Sequence, residues 1–200
     1  MKYMKKFVEV LCCKILFRVK YINIENIKQI DRCVICPNHS CIFDPTFIFP
    51  IVDNLYIMAK SELFRNRVIS NLFRKYNVFP IDRNRVDAQS LMHSLDIFKD
   101  TGEKRLLIFT EGKVVKNAED IGKSVKKGAV YIAANSGVPI IPVYITRRPK
   151  LFSRVEVIFG KPIHIAREEV DNKEKIIELS RELIKKIYDL GKYKQMEHYS

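Results

Sequence analysis

The chain has 200 residues, 47% hydrophobic and 30% charged, which excludes a disordered segment and suits one domain with a real core. Lysine and arginine outnumber aspartate and glutamate 36 to 23, a net charge of +13 that favours anionic partners: phospholipid surface, phosphorylated small molecules or nucleic acid. No run approaches the ~18 apolar residues of a membrane span, and five cysteines without regular spacing argue for a reducing, cytoplasmic compartment rather than a secreted disulfide scaffold.

Residues 1–18 place Phe7, Val8, Val10, Leu11, Ile15 and Leu16 on one broad helical face, with Lys2, Lys5, Lys6, Lys14 and Arg18 as bases and Glu9 as the sole acid. That makeup fits a helix lying in a lipid interface and equally an amphipathic helix packed on its own core. Glu9 and Lys14 interrupt the apolar run too early for a cleavable signal peptide. Strands are expected at 19–24 and 32–36, followed by the stretch Cys36-Pro37-Asn38-His39-Ser40-Cys41-Ile42-Phe43-Asp44-Pro45. Pro45 suits a first helical position, so Asp44 is expected to cap a short apolar helix reaching about residue 52. A strand at 55–59 precedes a helix capped by Ser61 and running to 76, with Leu63, Phe64, Val68, Ile69, Leu72 and Phe73 as its inner face and Arg65, Arg67, Arg74 and Lys75 outside.

A short strand at 78–81 leads into Asp82-Arg83-Asn84-Arg85, and Asp87 caps a helix to about residue 99. The apolar strand 106–109 ends in Thr110-Glu111-Gly112-Lys113, and the charged run 116–127 reads as a loop. A helix at 128–135 closes at Gly137; strands at 140–146 and 155–159 and an amphipathic helix at 172–190 follow, with a frayed tail beyond Gly191. Helices and strands alternate without repeats or low-complexity linkers. The expected fold is therefore α/β, a mainly parallel central sheet flanked by helices, with an N-terminal amphipathic helix at 1–18 and one domain over 19–200.

Sites in such sheets gather beyond the carboxyl ends of strands, where three clusters fall here: His39 with Asp44, Asp82 with Arg83 and Arg85, and Glu111 with Gly112. His39 and Asp44 meet only if the intervening segment curls, since on a helix their directions diverge. If they meet, the carboxylate fixes the imidazole tautomer and frees the other ring nitrogen as a general base. Cys33 and Cys36 form a CxxC near His39 and Cys41, yet residues three apart on a strand point to opposite faces, so packed thiols and no metal site are expected.

These residues resemble the glycerolipid acyltransferases, the group that contains the 1-acylglycerol-3-phosphate acyltransferases. Asn38 to Asp44 is similar to their NHxxxxD motif, Phe79-Pro80-Ile81-Asp82-Arg83 to their second block, Ile108-Phe109-Thr110-Glu111-Gly112 to the third, usually FPEGTR, and Val138-Pro139-Ile140-Ile141-Pro142-Val143 to the fourth. The resemblance covers about residues 20–165 in family order and spacing, and implies a glycerol-3-phosphate acyltransferase-like fold. It implies transfer of a fatty acyl group from coenzyme A or acyl carrier protein to the hydroxyl of lysophosphatidic acid, forming phosphatidic acid, without a further cofactor. His39 would be the base and Asp44 its support; Arg83 and Arg85 would bind the acceptor's phosphate, with Glu111, Gly112 and Lys113 completing the acceptor site. Lys113 and Val114 stand where the family has threonine and arginine, which leaves another lysophospholipid or hydroxyl acceptor open. The enzyme would sit peripherally on the inner face of the membrane, against its anionic surface.

Two other readings stand beside this one. A hydrolase using Ser40 or Cys41 as nucleophile lacks a GxSxG elbow. A non-catalytic binder of anionic lipid or nucleic acid would use the positive charge alone, but no nucleic-acid module is recognisable.

Overall fold

Runs rich in valine, isoleucine and leucine pair into one seven-stranded sheet in the computed structural model, which describes residues 2–82 and 87–197, with side chains as far as 192. The strands are β1 (Arg18–Ile22), β2 (Arg32–Pro37), β3 (Leu55–Lys60), β4 (Val78–Ile81), β5 (Lys104–Leu107), β6 (Ile140–Ile145) and β7 (Arg154–Phe159), in spatial order β1-β7-β6-β2-β5-β3-β4. Every pairing is parallel except β6 with β7. β2 is central and covered on both sides, so its sequence reads as an unbroken apolar run rather than an alternation. The pleat sends Cys33 and Ile35 to one core and Val34 and Cys36 to the other. The two thiols of the CxxC therefore point away from each other, and burial pushes the Cys33 thiol up to about 12.

The helices are α1 (Lys2–Val8), which continues with the wider π winding over Glu9–Leu16, α2 (Glu25–Lys28), α3 (Asp44–Ile48), α4 (Arg67–Lys75), α5 (Ala88–Ile97), α6 (Gly128–Ser136) and α7 (Lys173–Glu197). The N-terminal helix and α3 cover one face of the sheet through Cys12, Cys13, Phe17, Phe47 and Ile48, while α5, α6 and α7 cover the other. No helix among the described residues is long and apolar enough to cross a membrane.

Three expectations are corrected. The helix expected over 61–76 is broken: Ser61–Phe64 is a 3-10 turn, and Asn66 starts α4 by accepting hydrogen bonds from the Val68 and Ile69 amides. Its supposed inner face is largely open, and α4 buries none of its residues. The helix after Asp44 stops at Ile48, just ahead of Pro50, whose ring and missing N–H oppose further turns. At the other end α7 continues through Gly191 to Glu197 instead of fraying there. That glycine admits a close contact: a Cβ would stand 2.5 Å from the Tyr144 ring. Pro142 lies inside β6, where the β7 ladder ends and its carbonyl accepts from the Gly160 amide.

Candidate active site

Because β2, β3, β5 and β6 run parallel, the loops after them share one rim of the sheet. Asn38 leaves β2 locked to β6: its Oδ1 accepts from the Ile145 amide at 2.7 Å, and its Nδ2 donates to the Ile145 carbonyl at 3.0 Å. This side-chain rung fixes where His39 begins.

The segment after His39 does curl. Asp44 Oδ2 accepts from the Ser40 amide at 2.7 Å and the Cys41 amide at 2.8 Å, and lies 2.9 Å from His39 Nδ1. The carboxylate is thus turned back onto the loop and does not cap α3, contrary to the sequence expectation; Phe43 occupies the cap position without a side-chain bond. An oxygen already accepting two N–H groups can only accept from the imidazole as well, so Nδ1 carries the proton. Nε2 has no hydrogen bond among the described residues, and His39 keeps 8% exposure, enough to present that nitrogen at the rim. The ring stacks on Phe109, near the start of the third block, with centroids 4.0 Å apart. Asp44 is completely buried, and its Oδ1 has no partner. A charge that is desolvated on one side and supported on the other suits a group that steadies a cation forming nearby.

Glu111, which the resemblance places in the acceptor site, is 1% exposed, and both of its carboxylate oxygens have partners within the protein. Its Oε2 accepts from the His39 amide at 2.7 Å, and its Oε1 from the Tyr188 hydroxyl at 2.7 Å. Burial raises its carboxyl above the ordinary carboxylate range, against the pull of those two donors and of the nearby His39 and Arg147. Burial and the adjacent carboxylate push the Tyr188 phenol upward in turn. Glu111 thereby ties the His39 backbone to α7. Gly112 has φ +68, a left-handed turn position, and a Cβ there would meet the Lys126 side chain at 2.7 Å; the close neighbour is that lysine. Lys113 is exposed, within electrostatic reach of Asp120. Arg83 and Arg85 lie outside the described residues.

Asn38, Phe109, Arg147 and Tyr188 are the site residues that the sequence did not single out. Arg147 Nη2 donates to the carbonyls of Val115 at 3.2 Å and Lys116 at 3.3 Å, and its guanidinium lies 6.0 Å from the Tyr188 ring centroid. The Val115 amide in turn donates to the His39 carbonyl at 2.7 Å. Arg147 thus pins the loop that follows the third block, directly after Val114. Its Nε is buried without a partner.

Neither Ser40 nor Cys41 is bonded to the imidazole. Ser40 Oγ accepts from the Arg148 amide at 3.0 Å, and desolvation raises the Cys41 thiol, so neither is set up as an activated nucleophile. Among the described residues no group of three or more histidine, cysteine or carboxylate side chains forms a metal-binding cluster.

Comparison with known proteins agrees with this arrangement. Residues 18–146 match the acyltransferase family model. The 1-acyl-sn-glycerol-3-phosphate acyltransferase of Bacillus subtilis (strain 168) is 30% identical over 182 residues, 86% of this chain and 87% of that protein. The enzyme of the same name from Streptococcus pneumoniae (strain ATCC BAA-255 / R6) is 30% identical over 172 residues, 82% of this chain but 62% of that protein, so the chain spans less than two thirds of that relative. The crystal structure of the 1-acyl-sn-glycerophosphate (LPA) acyltransferase PlsC from Thermotoga maritima shares the fold, with a TM-score of 0.69 at 22% identity over 96% of this chain and 79% of that one. With the family model spanning most of the sheet and the rim that carries His39, this chain belongs to the acyltransferase family.

Proposed function

We propose that this protein transfers a fatty acyl group from an acyl thioester to the free hydroxyl of 1-acylglycerol-3-phosphate, forming phosphatidic acid in phospholipid synthesis. The observation that carries the reading is the His39–Asp44 pair, with Nδ1 held at 2.9 Å from the carboxylate and Nε2 left free at the rim.

Nε2 takes the hydroxyl proton as the acceptor oxygen attacks the thioester carbonyl carbon. Asp44 stabilises the imidazolium that forms. Collapse of the tetrahedral species breaks the carbon–sulfur bond, and the departing sulfur takes the proton back from Nε2, so no acyl-enzyme is required. The donor is an acyl thioester of coenzyme A or acyl carrier protein, whose acidic character suits the +13 chain. Arg83 and Arg85 remain the assigned phosphate ligands on sequence grounds, and Arg147 is the best-seated cation on the described part of the rim. The protein works at an anionic membrane surface, where Tyr3, Phe7 and Ile15 stand exposed among the lysines of the N-terminal helix.

The test is a panel of lysolipid acceptors offered with both thioester donors, the product being weighed by mass spectrometry. Phosphatidic acid from lysophosphatidic acid, lost in His39→Ala with the fold intact, is expected. Turnover on a different acceptor alone, or near-normal rates in His39→Ala, would remove the assignment.

A further inference from the structure

α4 has the composition of a packed helix and the environment of an unpacked one. Val68, Ile69 and Leu72 line one side of it at 77%, 41% and 44% exposure, and Leu63 in the preceding turn adds to the same apolar surface. Nine residues are too few for a helix to persist in water on propensity alone. Asn66 caps its start, and the ring pair Phe64 and Phe73, with centroids 5.4 Å apart, holds it to the 3-10 turn. On its inner side a cavity of about 620 Å³, lined by Arg74, Ser61, Ser90 and His93 among others, opens between α4 and α5. The outer face is left for something else to cover.

Charge on the page narrows what that is. Arg65, Arg67 and Lys75 stand exposed on the turn and helix that carry the stripe, while Glu62, the one acid over 61–76, is already paired with Lys60 at 2.8 Å. A second copy of the chain meeting this face about a two-fold axis would set basic border against basic border. The N-terminal helix repeats the pattern, with exposed Tyr3 and Phe7 beside Lys2 and Lys6. The two helices are linked through packing: Lys5 Nζ sits 5.8 Å from the Phe49 ring centroid, and Phe49 meets the Tyr76 ring, which directly follows α4, edge-on at 5.8 Å. The connection into α4 leaves the carboxyl end of β3, the same rim of the sheet that carries His39.

We propose that α4, together with the turn before it, is a second lipid-docking element that seats the protein on an anionic bilayer beside the N-terminal helix. The proposal rests on the acyl-transfer reading in one respect: a bilayer is the partner because the acceptor and the product are lipids. The stripe inserts into the interface, and the flanking arginines and lysine meet headgroup phosphates. The N-terminal helix and α4 then fix the tilt of the rim towards the membrane, which a single helix cannot do.

The test uses the full chain and two variants, Val68→Ser/Ile69→Ser/Leu72→Ser and Arg67→Gln/Lys75→Gln. Co-sedimentation is measured on vesicles of phosphatidylcholine alone and of equal parts phosphatidylcholine and phosphatidylglycerol. The wild type is expected to prefer the anionic vesicles, and each variant to partition onto them at least about tenfold more weakly, with an unchanged thermal midpoint because none of these side chains is buried. Transfer to a short-chain lysophosphatidate below its micelle concentration is expected to stay at the wild-type rate, while transfer to acceptor embedded in vesicles falls. Unchanged partition in the triple variant overturns the proposal, as does equal wild-type binding to both vesicle types. A dimer in light scattering that the triple variant abolishes assigns the face to a second copy, and a loss of rate confined to the carrier-protein donor with partition unchanged assigns it to the carrier. Partition that depends on α4 in a wild type with no turnover on any lysolipid would sink the activity and leave the docking surface standing.

Discussion

Asp44→Asn alters one charge at the centre of the site while leaving its geometry available. All three donors converge on Oδ2, and Oδ1 is buried without a partner. An asparagine with its oxygen in the Oδ2 position keeps every one of those bonds, and the opposite orientation would set an amide N–H₂ against three N–H groups. Its NH₂ then occupies the Oδ1 position unsatisfied, a cost of roughly 1–3 kcal/mol in stability. The imidazole keeps its tautomer, so what disappears is the attraction between carboxylate and imidazolium. At a charge separation near 4 Å with an effective dielectric of about 20, that attraction is ~4 kcal/mol. At ~1.36 kcal/mol per decade it corresponds to a loss of about a thousandfold in kcat. The positive charge exists only as the proton is transferred, so KM for either substrate should hardly move. Initial rates of thiol release at saturating lysophosphatidate, with thermal unfolding as the check on the fold, read both quantities. Turnover within tenfold of wild type, or a loss lying wholly in KM, would refute the electrostatic role of Asp44.

Tyr188→Phe removes one of the two donors to a buried carboxylate and should cost roughly 1.5–3 kcal/mol of stability, read by chemical denaturation. Glu111→Ala should be worse for activity, because it leaves the buried His39 amide unpaired; the expected drop is in kcat rather than KM, measured under the same saturating conditions. The raised carboxyl of Glu111 means that the folded state holds its proton more tightly than the unfolded state does. Stability should therefore fall as pH rises from the usual carboxylate range through that raised value, and Glu111→Gln should flatten this part of a thermal-midpoint curve taken from about pH 4 to 7. Arg147→Ala frees the loop at Val115 and Lys116 and should raise acceptor KM by about tenfold, with lysine restoring little because it lacks the planar fork; an unchanged KM would assign the residue to folding alone. Gly191→Ala drives a methyl into the Tyr144 ring and should destabilise by roughly 1–3 kcal/mol in the same denaturation assay.

The strands and the reacting pair were legible because their signals are local. Residues 33–36 in β2 and 106–109 at the end of β5 are continuous apolar runs, and His39, Asp44 and Glu111 follow them within a few residues, so they could be found from strand ends. Pro45 announced the start of α3, and the spacing of His39 and Asp44 meant that the pair could meet only if the loop between them curled. α4 shows where such reasoning stops. Positions 63, 64, 68, 69, 72 and 73 satisfy a helical period, but a period states that a face exists without stating what covers it. Asn66 in the middle of that run was the readable signal of a fresh N-terminus, since its side chain competes for backbone amides. Gly191 misled for a related reason: the residue marks either a helix end or a close approach, and only the Tyr144 ring, 47 positions earlier, distinguishes them.

Tyr188 carries the larger lesson about this fold. Its hydroxyl binds Glu111 across 77 positions of sequence, and no local motif could connect them. The family match ends at residue 146, yet the sheet is completed by β7, and the carboxylate that fixes the His39 backbone is itself held by α7. The last fifty or so residues are therefore part of what sets His39. A substitution that loosens α7 against Tyr144, far from any substrate, should accordingly appear as lost kcat as well as lost stability. A Gly191→Ala variant that was destabilised but kept the full wild-type kcat would show that His39 is positioned without α7.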